Sequence, residues 1–371
     1  MASQWSHISH ELHLRATTLA FSGVKSCPAK SLTFEPQSGR EAERYIGDML
    51  ILNPNPCFSR TLTMTHFERG AVMRTPSAEV RAGGKGIDAA RVAHCLKRKA
   101  PLIVLVGDRD ADAYCRLLFD EKADFRYTTY LGSIRVATMY VEVNSAVSTV
   151  VNEEGPTISG EDWDTYLAEI EREIKPGEIV ACMGSFPHGV TQDSITQLVN
   201  LVHQKGSLLL MDTAPHYLSF GLFAGVDIVS PNLDEAEAVI NAASEDFFTG
   251  DNHDGIQRAK NAAVKLCEMG VKVALVHAGD LGTAIAYKES LSFIPSFPIK
   301  VVSAIGAGDS LAAGFALKSE EQGDVTKMDS IDWKLSLMYG TATASAACEK
   351  GRAGDVDANR VAEIFEAIKA S

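Results

Sequence analysis

From residue 49 onward the chain alternates between short apolar runs and longer amphipathic ones. Residues 50–52, 102–107, 178–183, 207–212, 227–230 and 272–277 form the short runs, most of them closing near Gly, Asp, Ser or Asn, which is the pattern of strands. Between them, residues 87–98, 111–120, 162–174, 194–204, 233–243 and 256–269 carry apolar residues at helical spacing. Strands that are apolar throughout and alternate with helices predict an α/β fold with a mostly parallel central sheet covered on both faces. Ligands on such sheets sit beyond the carboxyl ends of the strands.

One region breaks the alternation. Residues 125–152 are rich in Val, Thr and Tyr and read as two or three consecutive strands with no helix between them, and 61–73 is similar. Parts of 58–75 and 125–152 are therefore expected to form a small β-sheet beside the main one, as an edge extension or as a lid over substrate. Residues 1–48 are polar and carry His7, His10 and His13, whose spacing does not match HExxH. A flexible extension is expected there, with the folded unit spanning 49–371.

Composition narrows the partners. The 371 residues are 46% hydrophobic and 22% charged, as in ordinary globular proteins, and suffice for a substantial core. The formal net charge of -13 argues against a nucleic-acid partner, which would need a basic face. The 7 cysteines are scattered and form no CxxC, so neither a disulfide framework nor a zinc ribbon is expected. No run approaches membrane-spanning length and no secretory signal is evident, so a cytoplasmic protein is expected.

The main chemical signal is Gly306-Ala307-Gly308-Asp309-Ser310, leading into an apolar helix-like stretch. A glycine-rich turn at a helix N-terminus exposes backbone N–H groups, and the helix dipole adds to the attraction for an anion. Asp309 inside that turn is placed to take a proton from a hydroxyl as phosphate arrives. The same residues also suit a tight turn opening a helix, and spacing alone does not separate the two. The segment is not a Walker A loop, since Gly84-Lys85 is followed by Gly86, and it is not GxGxxG, since Leu311 replaces the third glycine. A nicotinamide dehydrogenase is disfavoured accordingly.

The 306–310 segment resembles the C-terminal signature of the ribokinase/PfkB carbohydrate-kinase family, and other segments agree in order. Residues 82–92, AGGKGIDAARV, resemble the family's first glycine signature in its phosphofructokinase and tagatose-6-phosphate kinase form. Leu52-Asn53-Pro54, Gly184-Ser185-Phe186-Pro187-His188-Gly189, Pro231-Asn232-Leu233-Asp234-Glu235 and Gly279-Asp280-Leu281-Gly282 resemble that branch's opening strand, substrate-side turn, NxxE element and nucleotide-side loop. The resemblance implies a three-layer α/β/α ribokinase-like fold with a small β-sheet lid that often pairs with a second subunit as a homodimer. It implies transfer of the ATP γ-phosphate to a hydroxyl of a sugar or sugar phosphate, with Asp309 as catalytic base and Gly306, Ala307 and Gly308 as the anion hole. Gly83, Gly84, Lys85, Asp88, Arg135 and Ser185 would face the acceptor, Lys85 and Arg135 contacting any phosphate it carries. Asn232, His277, Gly279 and Gly282 would face ATP. Asn232 and Glu235 would organise Mg2+ through water; alone, they also fit a helix cap with its capping-box acid.

The acceptor side departs from that pattern. Cys57 stands where the branch usually has an Asp holding sugar hydroxyls, Asp88 where it has Asn, and Ala137 and Met139 where the lid has Asn and Lys. These changes leave the acceptor open. They also admit a non-catalytic sugar- or nucleotide-binding sensor of the same fold.

Overall fold

The computed structural model describes residues 49–144, 147–243 and 254–371. The extension expected over 1–48, with its three histidines, lies outside them.

Among the described residues thirteen strands form two sheets. In chain order the larger holds β1 (Leu50–Asn53), β4 (Leu102–Gly107), β5 (Phe125–Tyr130), β8 (Ile179–Met183), β9 (Leu208–Asp212), β10 (Ile228–Val229), β11 (Val273–His277), β12 (Gly282–Tyr287) and β13 (Ser290–Pro295). Its order is β13-β12-β11-β10-β9-β8-β1-β4-β5. Every neighbouring pair from β11 to β5 is parallel, and β12 and β13 close one edge as an antiparallel hairpin. Alternate residues of the buried strands feed opposite layers. Ile51, Val104, Ala181 and Leu210 pack on α1 (Lys85–Cys95), α2 (Ala111–Asp120), α8 (Ala307–Glu321), α9 (Trp333–Cys348) and α10 (Ala358–Ala370). Leu52, Ile103, Cys182 and Met211 pack on α3 (Gly160–Glu173), α4 (Gln192–Gln204), α5 (Pro215–Ala224), α6 (Leu233–Ala243) and α7 (Gly255–Glu268). Burial on both faces is why these strands are continuously apolar rather than alternating. The fold is the three-layer α/β/α architecture the pattern predicts.

The smaller sheet contains β2 (Cys57–Met64), β3 (Ser77–Gly83), β6 (Arg135–Glu142) and β7 (Val147–Asn152), in the order β3-β2-β6-β7. Two details differ from the sequence expectation. Residues 125–130 extend the main sheet beside β4, and the fourth strand of the small sheet comes from 77–83. Strands β8 to β11 also start one residue later than expected, whereas β1 and β4 start where expected. Glu178, Ser207 and Asp227 sit just ahead of β8, β9 and β10, where Glu178 accepts from the Lys175 N–H (2.7 Å), Ser207 donates to Lys175 O (2.7 Å) and Asp227 accepts from the Leu209 N–H (2.8 Å). Such polar groups are buried only because they are paired.

Two features aim the chain at the site. After β1 it leaves the main sheet through Pro54–Pro56, builds β2 and β3, and returns at Gly83 into α1. The root of the small sheet therefore sets Cys57 beside both Gly83 and Arg135. Helix α8 is buried along nearly its whole length. Small residues let α9 lie close: a Cβ on Gly340 would stand 2.7 Å from Leu311 O.

Candidate active site

The site forms where β1, β8 and β9 end and α1 and α8 begin. Asp212 is the last residue of β9 and is 2% exposed. Lys85, the first residue of α1, reaches it with a 2.6 Å ion pair from Nζ to Oδ1. Burial alone would weaken the hold of Lys85 on its proton. The charges of Asp212, Asp309 and Glu235 overcome this and keep it firmly cationic. The sequence reading gave Lys85 an acceptor phosphate as partner; here its partner is a carboxylate that the reading missed. The missed signal was legible, because an acid closing an apolar parallel strand sits where ligands bind.

Asp309 lies in the first turn of α8 and is 8% exposed. Gly306 caps the helix with φ 78°, and a Cβ there would stand 2.7 Å from that of Ala353. Of the turn's N–H groups, that of Ala307 bonds back to Ala304 O at 3.3 Å. The N–H groups of Gly308 and Asp309 have no backbone partner among the described residues. Space over Gly308 is open, with nothing within 4 Å of a Cβ built there. Two unsatisfied donors at a positive helix end, opening into free space, are suited to an anion. Burial, then the charges of Asp88 and Asp212, hold the Asp309 carboxyl well above the usual carboxylate range, with Lys85 opposing them.

On the other side of Lys85, Asn53 ends β1 fully buried, with both amide atoms unpaired. It lies under the turn that opens α1. Gly84 there has φ 132°, and a Cβ on it would stand 2.3 Å from Asn53 Nδ2. Asn55 donates from Nδ2 to Ser185 Oγ (3.0 Å), drawing the expected substrate-side turn next to the β1–β2 connection. Arg135 bonds from Nε (3.3 Å) and Nη2 (3.0 Å) to Asn55 O, so it spans from the small sheet to the same connection. The Cys57 thiol is buried beside it. Burial pushes its pKa up to about 11, with Asp88 adding and Arg135 and Arg91 opposing.

The expected nucleotide-side residues converge on the neighbouring strand ends. Asn232 and His277 form a β-bridge that joins the loop after β10 to the end of β11. Asn232 Oδ1 accepts from the Glu235 N–H (2.8 Å), and Glu235 Oε2 accepts from the Asn232 N–H (3.0 Å). This is a reciprocal helix cap, and it occupies one oxygen of Glu235. The His277 ring contacts Ser230 Oγ at 2.8 Å through Nε2, and burial lowers its pKa, so it is neutral at pH 7. Gly279 is exposed in the turn between β11 and β12, whereas Gly282 is packed, a Cβ there falling within 2.2 Å of Ile294 O. No group of three or more His, Cys, Asp or Glu among the described residues forms a metal cage. The fit to Mg2+ is of the open kind, one carboxylate near bound phosphates and several waters, for which Glu235 is suited.

The chain matches the pfkB family carbohydrate kinase model over residues 54–359. It is 24% identical to the 1-phosphofructokinase of Bacillus subtilis (strain 168) over 292 residues, 78% of this chain and 90% of that protein. In fold it is similar to phosphofructokinase-2 from Escherichia coli in complex with fructose-6-phosphate, with a TM-score of 0.75 at 22% identity, covering 87% of this chain and 99% of that one. It is also similar to the ribokinase of Thermotoga maritima, with a TM-score of 0.62 at 18% identity, covering 87% and 99%. The fold is thus ribokinase-like, and the open N-terminus of α8 beside a buried carboxyl suits a phosphotransferase. The chain belongs to the pfkB family of carbohydrate kinases. Its activity is that of a sugar kinase with ATP as co-substrate. No helix among the described residues is long and apolar enough to cross a membrane.

Proposed function

We propose that this kinase phosphorylates a hydroxyl of a sugar phosphate, with Asp309 as the general base. The observation that supports it is the pairing of a buried carboxyl with two free N–H groups at one helix end, open to a ligand over Gly308. The acceptor O–H gives its proton to Asp309 as its oxygen bonds the γ-phosphorus. The bond from that phosphorus to the β–γ bridging oxygen breaks, and ADP leaves. The N–H groups of Gly308 and Asp309 balance charge on the transferring group, and positioning supplies much of the rate. Bound Mg2+ would neutralise phosphate charge, and Glu235, with Asn232 holding its backbone, would face it through water. Gly279, Gly282 and His277 shape the nucleotide side, where neutral His277 acts through hydrogen bonding and packing. Gly83, Gly84, Ser185 and Arg135 border the acceptor. Lys85 already shares its charge with Asp212, whereas Arg135 bonds to backbone carbonyl oxygens, so Arg135 is the better-placed cation for an acceptor phosphate.

Cys57, Ala137 and Met139 leave the acceptor pocket less polar than a carboxylate and a lysine would, which favours an acceptor bound through few hydroxyl contacts. The named relatives make fructose phosphates the first acceptors to try. The small sheet serves as a lid, and its exposed Val80, Val150 and Val151 suit pairing with a second copy, to be checked by sedimentation. The test of function is Mg-ATP turnover, read as ADP release, over fructose 1-phosphate, fructose 6-phosphate, tagatose 6-phosphate and free sugars. Turnover on one compound, lost in Asp309→Asn, is expected. ATP or sugar binding without turnover on any of them would favour a non-catalytic binding protein.

A further inference from the structure

Arg91 lies in the second turn of α1, with its side chain only 10% exposed. A guanidinium carries five N–H donors in a rigid fork. Nε and Nη2 donate to the two oxygens of Glu121, just past α2, at 2.7 and 3.1 Å. Nη1 donates to Asp88 Oδ1, one turn earlier on α1. Nη2 also donates to Ala82 O, near the end of β3. The remaining contact runs from Nη1 to Ala353 O, at 3.5 Å. The whole fork is therefore engaged inside the protein, and Arg91 is left to hold structure rather than substrate. Asp88 and Glu121 balance the buried cation, with Arg81 Nε 3.4 Å from Glu121 as a second positive charge. Charge can be buried here because it is paired and hydrogen-bonded.

Two of the segments that Arg91 grips flank the site from opposite sides. β3 is an edge strand, and its last residues lead into the Gly83-Gly84 turn that opens α1. Arg91 holds Ala82 O, and the buried Tyr114 on α2 donates to Gly83 O at 3.0 Å. Having no side chains, these glycines take their position from what grips the backbone around them. On the other side, Ala353 backs the α8 turn, its Cβ 2.7 Å from where one on Gly306 would be. Gly354 presses on α1, where a Cβ would fall 2.5 Å from Asp88 O and 3.1 Å from Arg91 Cβ. Asp88, expected to face the acceptor, gives Oδ1 to Arg91, and its Oδ2 lies 3.6 Å from a Cβ built on Gly306.

We propose that Arg91 is a positioning residue for phosphoryl transfer: it fastens the acceptor-side turn at Gly83-Gly84 to the loop that backs the open end of α8. The roles of those two turns rest on the function proposed above. In-line transfer depends on the distance and angle between the acceptor oxygen and the phosphorus, and an error of about 1 Å can cost ~10²-fold in rate. Lysine would keep the charge but carries its donors on one nitrogen, so it cannot span Glu121, Ala82 O and Ala353 O together. A second link between β3 and this loop, Glu79 to Arg352 at 3.1 Å, is about half exposed and contributes little.

The experiment compares Arg91→Lys, Glu121→Gln and Glu79→Gln with the wild type. It reads Mg-ATP turnover on the member of the acceptor panel that is turned over, and amide hydrogen exchange without substrates. Arg91→Lys is expected to lower kcat by about 10- to 100-fold while KM for ATP moves less than about threefold. Glu121→Gln leaves Arg91 in place with a weaker partner and should lower kcat by less. Glu79→Gln should stay within about twofold of the wild type. In Arg91→Lys, exchange should quicken at Ile87 and Asp88, which bond to Gly84 O, and also at Ser310, which bonds to Gly306 O, with β8 unchanged. A kcat within about threefold of the wild type in Arg91→Lys overturns the inference and leaves Asp309 standing as the base. Exchange that quickens on one side only, or across β8 as well, also overturns it, the latter making Arg91 a support of the whole fold. A loss in Glu79→Gln as large as that in Arg91→Lys would assign the fastening to the surface pair instead. If Arg91→Lys does not fold, unchanged kcat and exchange in Glu121→Gln overturn the inference. Wild-type inactivity on every acceptor removes the proposed function, and the exchange pattern then still decides whether Arg91 joins the two turns.

Discussion

Two helices open on a glycine with positive φ, and both beginnings border the site. Helix α1 follows Gly84 (φ 132°) and α8 follows Gly306 (φ 78°), and neither has a side-chain cap. The space around them differs. At α1 a Cβ on Gly84 would land 2.3 Å from Asn53 Nδ2, so the protein itself fills the position. At α8 Gly308 has no atom within 4 Å of a built Cβ, and its N–H is unpaired. One glycine makes room for the chain's own side chain, and the other keeps room for something the chain does not supply. Both turns border the site, and it is Gly308 at α8 that leaves open space at its own backbone.

That contrast can be broken in order of expected effect. Asp309→Asn should lower turnover by about 10²- to 10⁴-fold while ATP binding, measured by calorimetry, persists. Near-normal turnover would remove the functional meaning of the open helix end. Gly84→Ala forces a side chain into a backbone region essentially reserved for glycine and into Asn53, and should cost about 1–3 kcal/mol or more, read from chemical denaturation. Gly308→Ala should leave the fold as stable or up to ~1 kcal/mol more stable, because alanine is the better helix former, yet lower kcat/KM for ATP. If Gly84→Ala folded normally and Gly308→Ala did not, the roles assigned to the two turns would be reversed.

A further effect, confined to high pH, concerns Cys57 at the root of the small sheet. Burial raises its folded pKa from the ordinary thiol value of about 9 to about 11. Above about pH 9 the unfolded chain therefore loses this proton first, and stability falls as pH rises toward the folded value. The contribution is about 2–3 kcal/mol in all, since one pKa unit is about 1.4 kcal/mol. Comparing wild type with Cys57→Ala across that window should show a shallower decline in the variant. Parallel curves would place the thiol in a more solvated setting than the structure gives it.

The alternation of apolar and amphipathic runs determined the layers by itself, because a strand buried on both faces has no polar side to show. Helices α2 and α6 match their periodic runs, residues 111–120 and 233–243, end for end. Helices α5 and α9 escaped the reading because apolar or small residues occupy most of their faces, which leaves little periodicity to read. The motif at 306–309 was visible in the sequence because a glycine-rich turn opening a helix is local chemistry. The partners of Asp309 were not. Asp88 lies 221 positions away by numbering and Asp212 97, and their charges reach Asp309 because α1, β9 and α8 end at one place. Sequence spacing also allowed Asn232 and Glu235 both a metal and a cap together, and the fold shows the cap made. Local propensity and burial periodicity act over a few residues and survive in the sequence. The charge around a base depends on which strand ends meet, and only the packed sheet decides that.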